Sequence, residues 1–230
     1  MVEASHRKIP TRRRTASRAP QPSTALRTAS IEGWISDEDT RVEFITLWKD
    51  KPLITLKFIK SQWFVNRRFT IPAFLAEQGV KFFTEMQGTY YPDLVQAFYF
   101  NYKFRDGVGF TKVKGVDIIL DDDIWENVAQ FPIHDGTSPI LIAGIEGFNK
   151  IFPYRSLMRR LDQEIGRQLL AEPLKVDECL LHYLIVWILC PRGTNHAQCS
   201  EADLMIIYAM LNHIPIHWPS IILDTMLKAK

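Results

Sequence analysis

From residue 70 onward the large apolar side chains recur three and four positions apart. They fall in stretches that open on Pro or an acid and stop at Gly or Pro. That spacing places them on one face of a helix and prescribes a set of helices packed on a shared core. Pro72 and Pro92 suit first helical turns, where a missing N–H costs nothing. The spacing predicts helices over Pro72–Gln87 and Pro92–Phe104, the second ended by Gly107 and Gly109. Gly79, inside the first, should weaken it by about 1 kcal/mol relative to Ala.

Further along, Tyr154–Leu170 reads as an amphipathic helix, with Leu157, Met158, Leu161, Ile165 and Leu169 on one side. A helix over Val176–Cys190 follows. Ser200 and Asp203 then approximate a capping box for a helix reaching Asn212. A last helix starts at Pro219 and runs to about Leu227. The run Leu180 to Leu189 is interrupted by His182 and stopped by Pro191, well short of the roughly 20 apolar residues a membrane span needs.

One segment changes period. In Phe110–Leu120 the residues Val113, Val116, Ile118 and Leu120 flank Lys114-Gly115 and read as a small β-hairpin. Asp121-Asp122-Asp123 then precede Ile124, Trp125, Val128 and Phe131, as acids that cap a helix and complement its dipole, with Pro132 as the stop. Between residues 31 and 69 the pattern is mixed. A short helix fits Asp39–Trp48, and residues 52–69 leave strand and irregular structure open. The fold expected is mainly α: a multi-helix globular domain over 70–230 with one small β-hairpin, a poorly defined segment at 31–69, and a disordered basic leader over 1–30.

Charge separates the leader from the rest. Residues 1–30 hold seven Lys/Arg and one acid, and residues 31–230 hold 21 basic and 25 acidic side chains. The later part is mildly acidic, so attraction to nucleic acid belongs to the leader. With few large apolar side chains, the leader cannot offset its ordering entropy. It reads as a solvated tail, as a nuclear-import or nucleic-acid patch carried by Arg7, Lys8, Arg12, Arg13 and Arg14, or as an organelle transit peptide. Three cysteines and a charged N-terminus without an apolar stretch suggest free thiols in a reducing compartment, nuclear or cytoplasmic. No membrane partner is expected.

The candidate chemistry is thin. Asp121–Asp123 superficially resemble the paired acids of a polymerase metal site, but such a site needs an acid from a distant strand as well. Asp135-Gly136-Thr137 has the letters of the aspartic-protease triplet in the wrong order, and reads as a turn before Ser138-Pro139. Cys179, His182, Cys190, His196, Cys199, His213 and His217 include the pair-like spacing His196-x-x-Cys199. However, a helix that starts at Cys179 and His182 carries the chain over about 20 Å away from them. Buried thiols and capping or surface histidines are the expected roles, with no metal and no cofactor. No thiol is marked as a nucleophile, and no Gly-rich phosphate loop occurs. Trp125, Phe98 and Trp187 are expected to build the core.

Three segments together carry a resemblance. They are Tyr91-Pro92-Asp93-Leu94-Val95-Gln96-Ala97-Phe98-Tyr99-Phe100-Asn101, Val113-Lys114-Gly115-Val116-Asp117-Ile118, and Leu189-Cys190-Pro191-Arg192-Gly193-Thr194-Asn195. In order and spacing, over about residues 70–227, they resemble the plant transposon protein domain, a family found in retroelement-derived reading frames and in standalone plant proteins. A later helix with Leu204, Tyr208 and Ala209 fits the same pattern. The family lends no catalytic residues. The resemblance implies a mobile-element origin and a plant source, and the leading expectation is a non-enzymatic role in protein–protein or nucleoprotein assembly. Ending close behind the domain, the chain is expected to be a truncated element or a fragment. Nucleic-acid binding through the leader is the alternative, and a divergent metal-dependent enzyme a third.

Overall fold

The computed structural model describes residues 35, 37–55, 57–132, 145 and 147–230. The leader and Asp135–Pro139 lie outside the described residues. The first element, α1 (Glu38–Leu47), starts where the Asp37 carboxylate accepts the Thr40 amide at 2.8 Å, with Glu38 and Asp39 in the first turn. It matches the short helix expected there. Only Phe44 of α1 is buried, edge-on to Phe100 at 5.3 Å, in a small cluster with Ile35 and Ala97.

Residues 52–55 and 57–60 are irregular, and α2 (Ser61–Asn66) follows. The single helix expected over Pro72–Gln87 is two: α3 (Ile71–Glu77) and α4 (Lys81–Glu85). Gly79 separates them at φ +69°, a conformation that ends a helix and favours glycine. The helix α5 (Pro92–Asn101) stops three residues earlier than its apolar pattern, because Lys103–Arg105 leave it to form strand β1.

With β2 (Val108–Val113) and β3 (Val116–Leu120) this makes a three-stranded antiparallel sheet in the order β1-β2-β3. The hairpin expected at Lys114-Gly115 is present and gains a third strand. Both loops are two residues long with positive φ throughout: Asp106 and Gly107 at 50° and 81°, Lys114 and Gly115 at 53° and 79°. Such turns match the right-handed twist of paired strands. The sheet lies against α5, where Asn101 Nδ2 donates to Lys112 O at 2.7 Å and Thr111 Oγ1 donates to Phe98 O at 2.8 Å.

Asp121 Oδ1 accepts from the Ile124 amide at 3.3 Å, and a π-helical turn, Ile124–Val128, carries buried Trp125. This is the capping role read from the acid run. The helix expected over Tyr154–Leu170 is a correction: only α6 (Ile151–Leu157) forms. Met158 is extended (φ −69°, ψ 146°) and bridges to Leu174, while Leu170 bridges to Gln198. Leu157, Met158 and Leu169 are buried as expected, but Leu161 is exposed, since irregular chain rather than a helix face delivers them.

The helix expected over Val176–Cys190 is α7 (Val176–Leu184), running on into a π-helical turn at Ile185–Leu189. Ser200 and Asp203 form a complete capping box on α8 (Glu201–Leu211), and α9 (Trp218–Ala229) closes the described chain. These last helices carry a large share of the core: Ile185, Val186, Leu204, Ile207, Met210 and Trp218 are essentially inaccessible. The architecture is mainly α with one small sheet. Among the described residues no helix is long and apolar enough to cross a membrane.

Candidate functional site

A groove of about 1160 Å³ is lined by residues 51–55 and 57 together with the C-terminal helices. Its floor comes from α8 (Met205, Ile206, Ala209) and α9 (Ile221, Ile222, Met226), and one wall from Trp187–Cys190. The strap 51–55 lines it as well, contributing Leu53, Ile54 and Thr55. The strap is tied at one end, where Gln96 Nε2 donates to Lys49 O and Lys51 O, each at 2.9 Å. Beyond its other end, the Ile59 amide donates to Thr84 O at 2.9 Å. Between those ties the described residues of the strap have neither helix nor ladder bonds. Ile54 is 46% exposed, so apolar surface remains open at the rim.

Trp187 organises the wall. Its indole stacks on His196 at 3.6 Å between centroids, and the Lys57 ammonium sits 2.9 Å from the ring centre. The loop 191–200 is held from beneath. His182, fully buried, donates from Nε2 to His196 O at 3.0 Å, and His196 Nε2 donates to Arg192 O at 2.6 Å. Arg192 pairs with buried Asp203 at 3.0 Å, and its Nε is buried without a hydrogen-bond partner. Burial lowers the proton affinity of His182, against its bond to His196 and the nearby Asp203 charge.

The three thiols are held protonated. Burial pushes the Cys190 thiol up to about 12 despite a hydrogen bond with Thr225, and the Cys199 thiol also to about 12, with Asp203 adding to both. Cys179 moves in the same direction for the same first cause. An activated cysteine shows the opposite shift.

No family model, curated protein or solved structure matches the chain.

The sequence-derived candidates distribute as follows. Arg7, Lys8, Arg12, Arg13 and Arg14 lie outside the described residues. The cysteines and histidines do different local jobs: His182 and His196 brace a loop, His217 caps α9 by accepting from the Ser220 amide at 3.3 Å, and His213 meets Glu77 at 2.6 Å. Among the described residues no three His, Cys, Asp or Glu side chains gather to hold a metal ion. Asp123 Oδ1 accepts from Asn127 Nδ2 at 2.8 Å and stays exposed beside Asp121 and Asp122. Trp125 is buried, with Nε1 donating to Leu120 O at 3.2 Å, and Phe98 stacks on Tyr102. Trp187, expected in the core, is half-buried, packs against the core and also lines the groove. The groove itself was missed. Its lining comes from positions over 100 residues apart, and no local spacing marks it.

Proposed function

We propose that the chain is a non-enzymatic binding domain of plant mobile-element descent, serving protein–protein or nucleoprotein assembly. The observation that carries this reading is the open apolar groove, lined by α8, α9 and a strap tied near its two ends. At about 1160 Å³ it exceeds the 300–1000 Å³ usual for a small-molecule pocket, and an extended or helical protein segment suits it better. Beside it, Arg192 pairs with Asp203 and His196 bonds to Arg192 O, in a brace behind Trp187. The resemblance carried by residues 91–101, 113–118 and 189–195 supports the assembly role and the mobile-element origin, and the free thiols support nuclear or cytoplasmic residence. Two of those segments meet in space, where Phe100 of α5 and Val113 pack against the same small cluster as Ala97.

Light scattering of the full chain over a concentration series tests the reading. Self-association that Ile54→Asp abolishes, with the fold intact by circular dichroism, is the expected result. A monomer at all concentrations, together with no effect of Ile54→Asp on uptake of an apolar fluorescent dye, would refute it.

A further inference from the structure

Residues 51–76 hold five cations (Lys51, Lys57, Lys60, Arg67, Arg68) and no acid, within a part of the chain that is otherwise mildly acidic. Lys60, Trp63 and Arg67 are spaced three and then four apart across α2, which aligns them along one side of it. Trp63 is 43% exposed, yet it is held in place from several directions. It lies edge-on to Phe64 at 4.9 Å and parallel to Phe69 at 5.9 Å, with planes 9° apart. The Arg67 guanidinium rests 4.1 Å from its ring centre.

Lys60, Arg67 and Arg68 are exposed and form no ion pair among the described residues. The carboxylates met along this stretch are engaged with neutral donors: Glu85 accepts from the Ser61 amide at 3.3 Å, and Asp177 from Thr70 Oγ1 at 3.2 Å. We propose that Trp63, Arg67, Arg68 and Lys60 form a second interaction surface that binds single-stranded nucleic acid. It is separate from the basic leader and independent of the groove.

Two physical features single out that partner. Unpaired cations attract any polyanion, but a pre-placed indole and guanidinium stack add flat surface that only an unstacked base can use. A duplex hides its base faces, and an acidic peptide offers few rings to match. The stack also limits the rotamer freedom lost on binding.

The test uses the full chain with the seven leader cations replaced by Gln, and a fluorescent oligo-dT of about 20 nucleotides as probe. Anisotropy should show binding to the single strand and much weaker binding to its duplex. Trp63→Ala should weaken binding roughly 5- to 100-fold, and Trp63→Phe should restore most of it. Arg67→Gln with Arg68→Gln should flatten the dependence of log K on log salt by about 1.4, at about 0.7 per contact. Circular dichroism and urea unfolding establish that each variant is folded. The proposal is overturned if the leader-neutralised chain does not bind, if duplex and single strand bind equally, or if Trp63→Ala leaves affinity unchanged. Tight binding to anionic vesicles with none to oligo-dT would equally overturn it and mark the surface as a membrane contact.

Discussion

The indole of Trp187 and the imidazole of His196 lie face to face, 3.6 Å apart and within 7° of parallel. The contact fastens the loop after the π-helical turn back onto that turn. Trp187→Ala removes the stack and the seat of Lys57 together. For a half-buried ring the expected loss is about 2–3 kcal/mol in urea unfolding. Hydrogen exchange at residues 191–199 should accelerate well beyond that at α8, because the loop loses its local anchor. Equal acceleration throughout would mean that the stack does not hold the loop.

Gly79 gives a prediction of opposite sign from sequence and from structure. A glycine inside a helix would gain about 1 kcal/mol on replacement by Ala. Here φ is +69°, and an added Cβ would meet Pro132 Cδ at 2.3 Å and Cγ at 2.6 Å. Gly79→Ala should therefore destabilise, by about 2 kcal/mol or more once strain and overlap combine. Thermal unfolding decides the sign directly.

The same position shows what was legible in the sequence. Features set by neighbours in the chain were readable: the Ser200–Asp203 box, the Lys114-Gly115 turn, the Asp121 cap and the apolar α7. Features set by distant partners were not. Apolar spacing over Leu157–Leu169 suggested a helix, but the Leu157 carbonyl accepts from the Lys175 amide at 2.8 Å and the Leu169 carbonyl from the Cys199 amide at 2.7 Å. Those bonds draw the chain out of helical geometry while leaving the same side chains buried. The groove eluded the sequence for a related reason: Leu53 and Ile222 are ordinary apolar residues until the fold sets them around one space. Trp63 and Arg67 were within reach, since an acid-free basic stretch interleaved with aromatics is a local signal. A net charge summed over residues 31–230 averages it away.

Stability should fall on both the acid and the alkaline side. Burial holds His182 neutral in the fold, so the unfolded chain binds a proton first as pH drops below the ordinary value of 6.5, and stability is lost there. His182→Gln should weaken the fold at neutral pH while reducing this acid slope. The thiols work the other way. Cys190 and Cys199 stay protonated in the fold up to about 12, against 9.0 ordinarily, so their contribution is complete below 9 and is lost as pH rises from there toward 12. Tyr99, Tyr102 and Tyr154, all raised by burial, add to that alkaline loss. Urea unfolding across pH checks both limbs, and Cys199→Ala should flatten only the alkaline one. Iodoacetamide labelling near pH 8 should leave Cys199 unmodified until the chain unfolds.

Asp203 carries more than its neighbour in the capping box. Ser200 Oγ accepts the Asp203 amide at 3.1 Å, and Asp203 Oδ2 accepts the Ser200 amide at 2.7 Å. The same carboxylate, with 6% of its side chain exposed, pairs with Arg192 at 3.0 Å. Ser200→Ala removes one cap bond and should cost about 1 kcal/mol. Asp203→Ala removes the reciprocal bond and also strands a guanidinium that is 28% exposed, with its Nε already lacking a partner. A loss of about 3 kcal/mol is expected, reduced from the fully buried case by the solvent that still reaches Arg192. Asp203→Asn keeps an acceptor for the Ser200 amide without the charge, so it should fall between the two. Combining Asp203→Ala with Arg192→Met removes the stranded charge and should recover part of the loss, as a double-mutant cycle in urea would measure. Equal costs for Ser200→Ala and Asp203→Ala would assign the stabilisation to the cap alone.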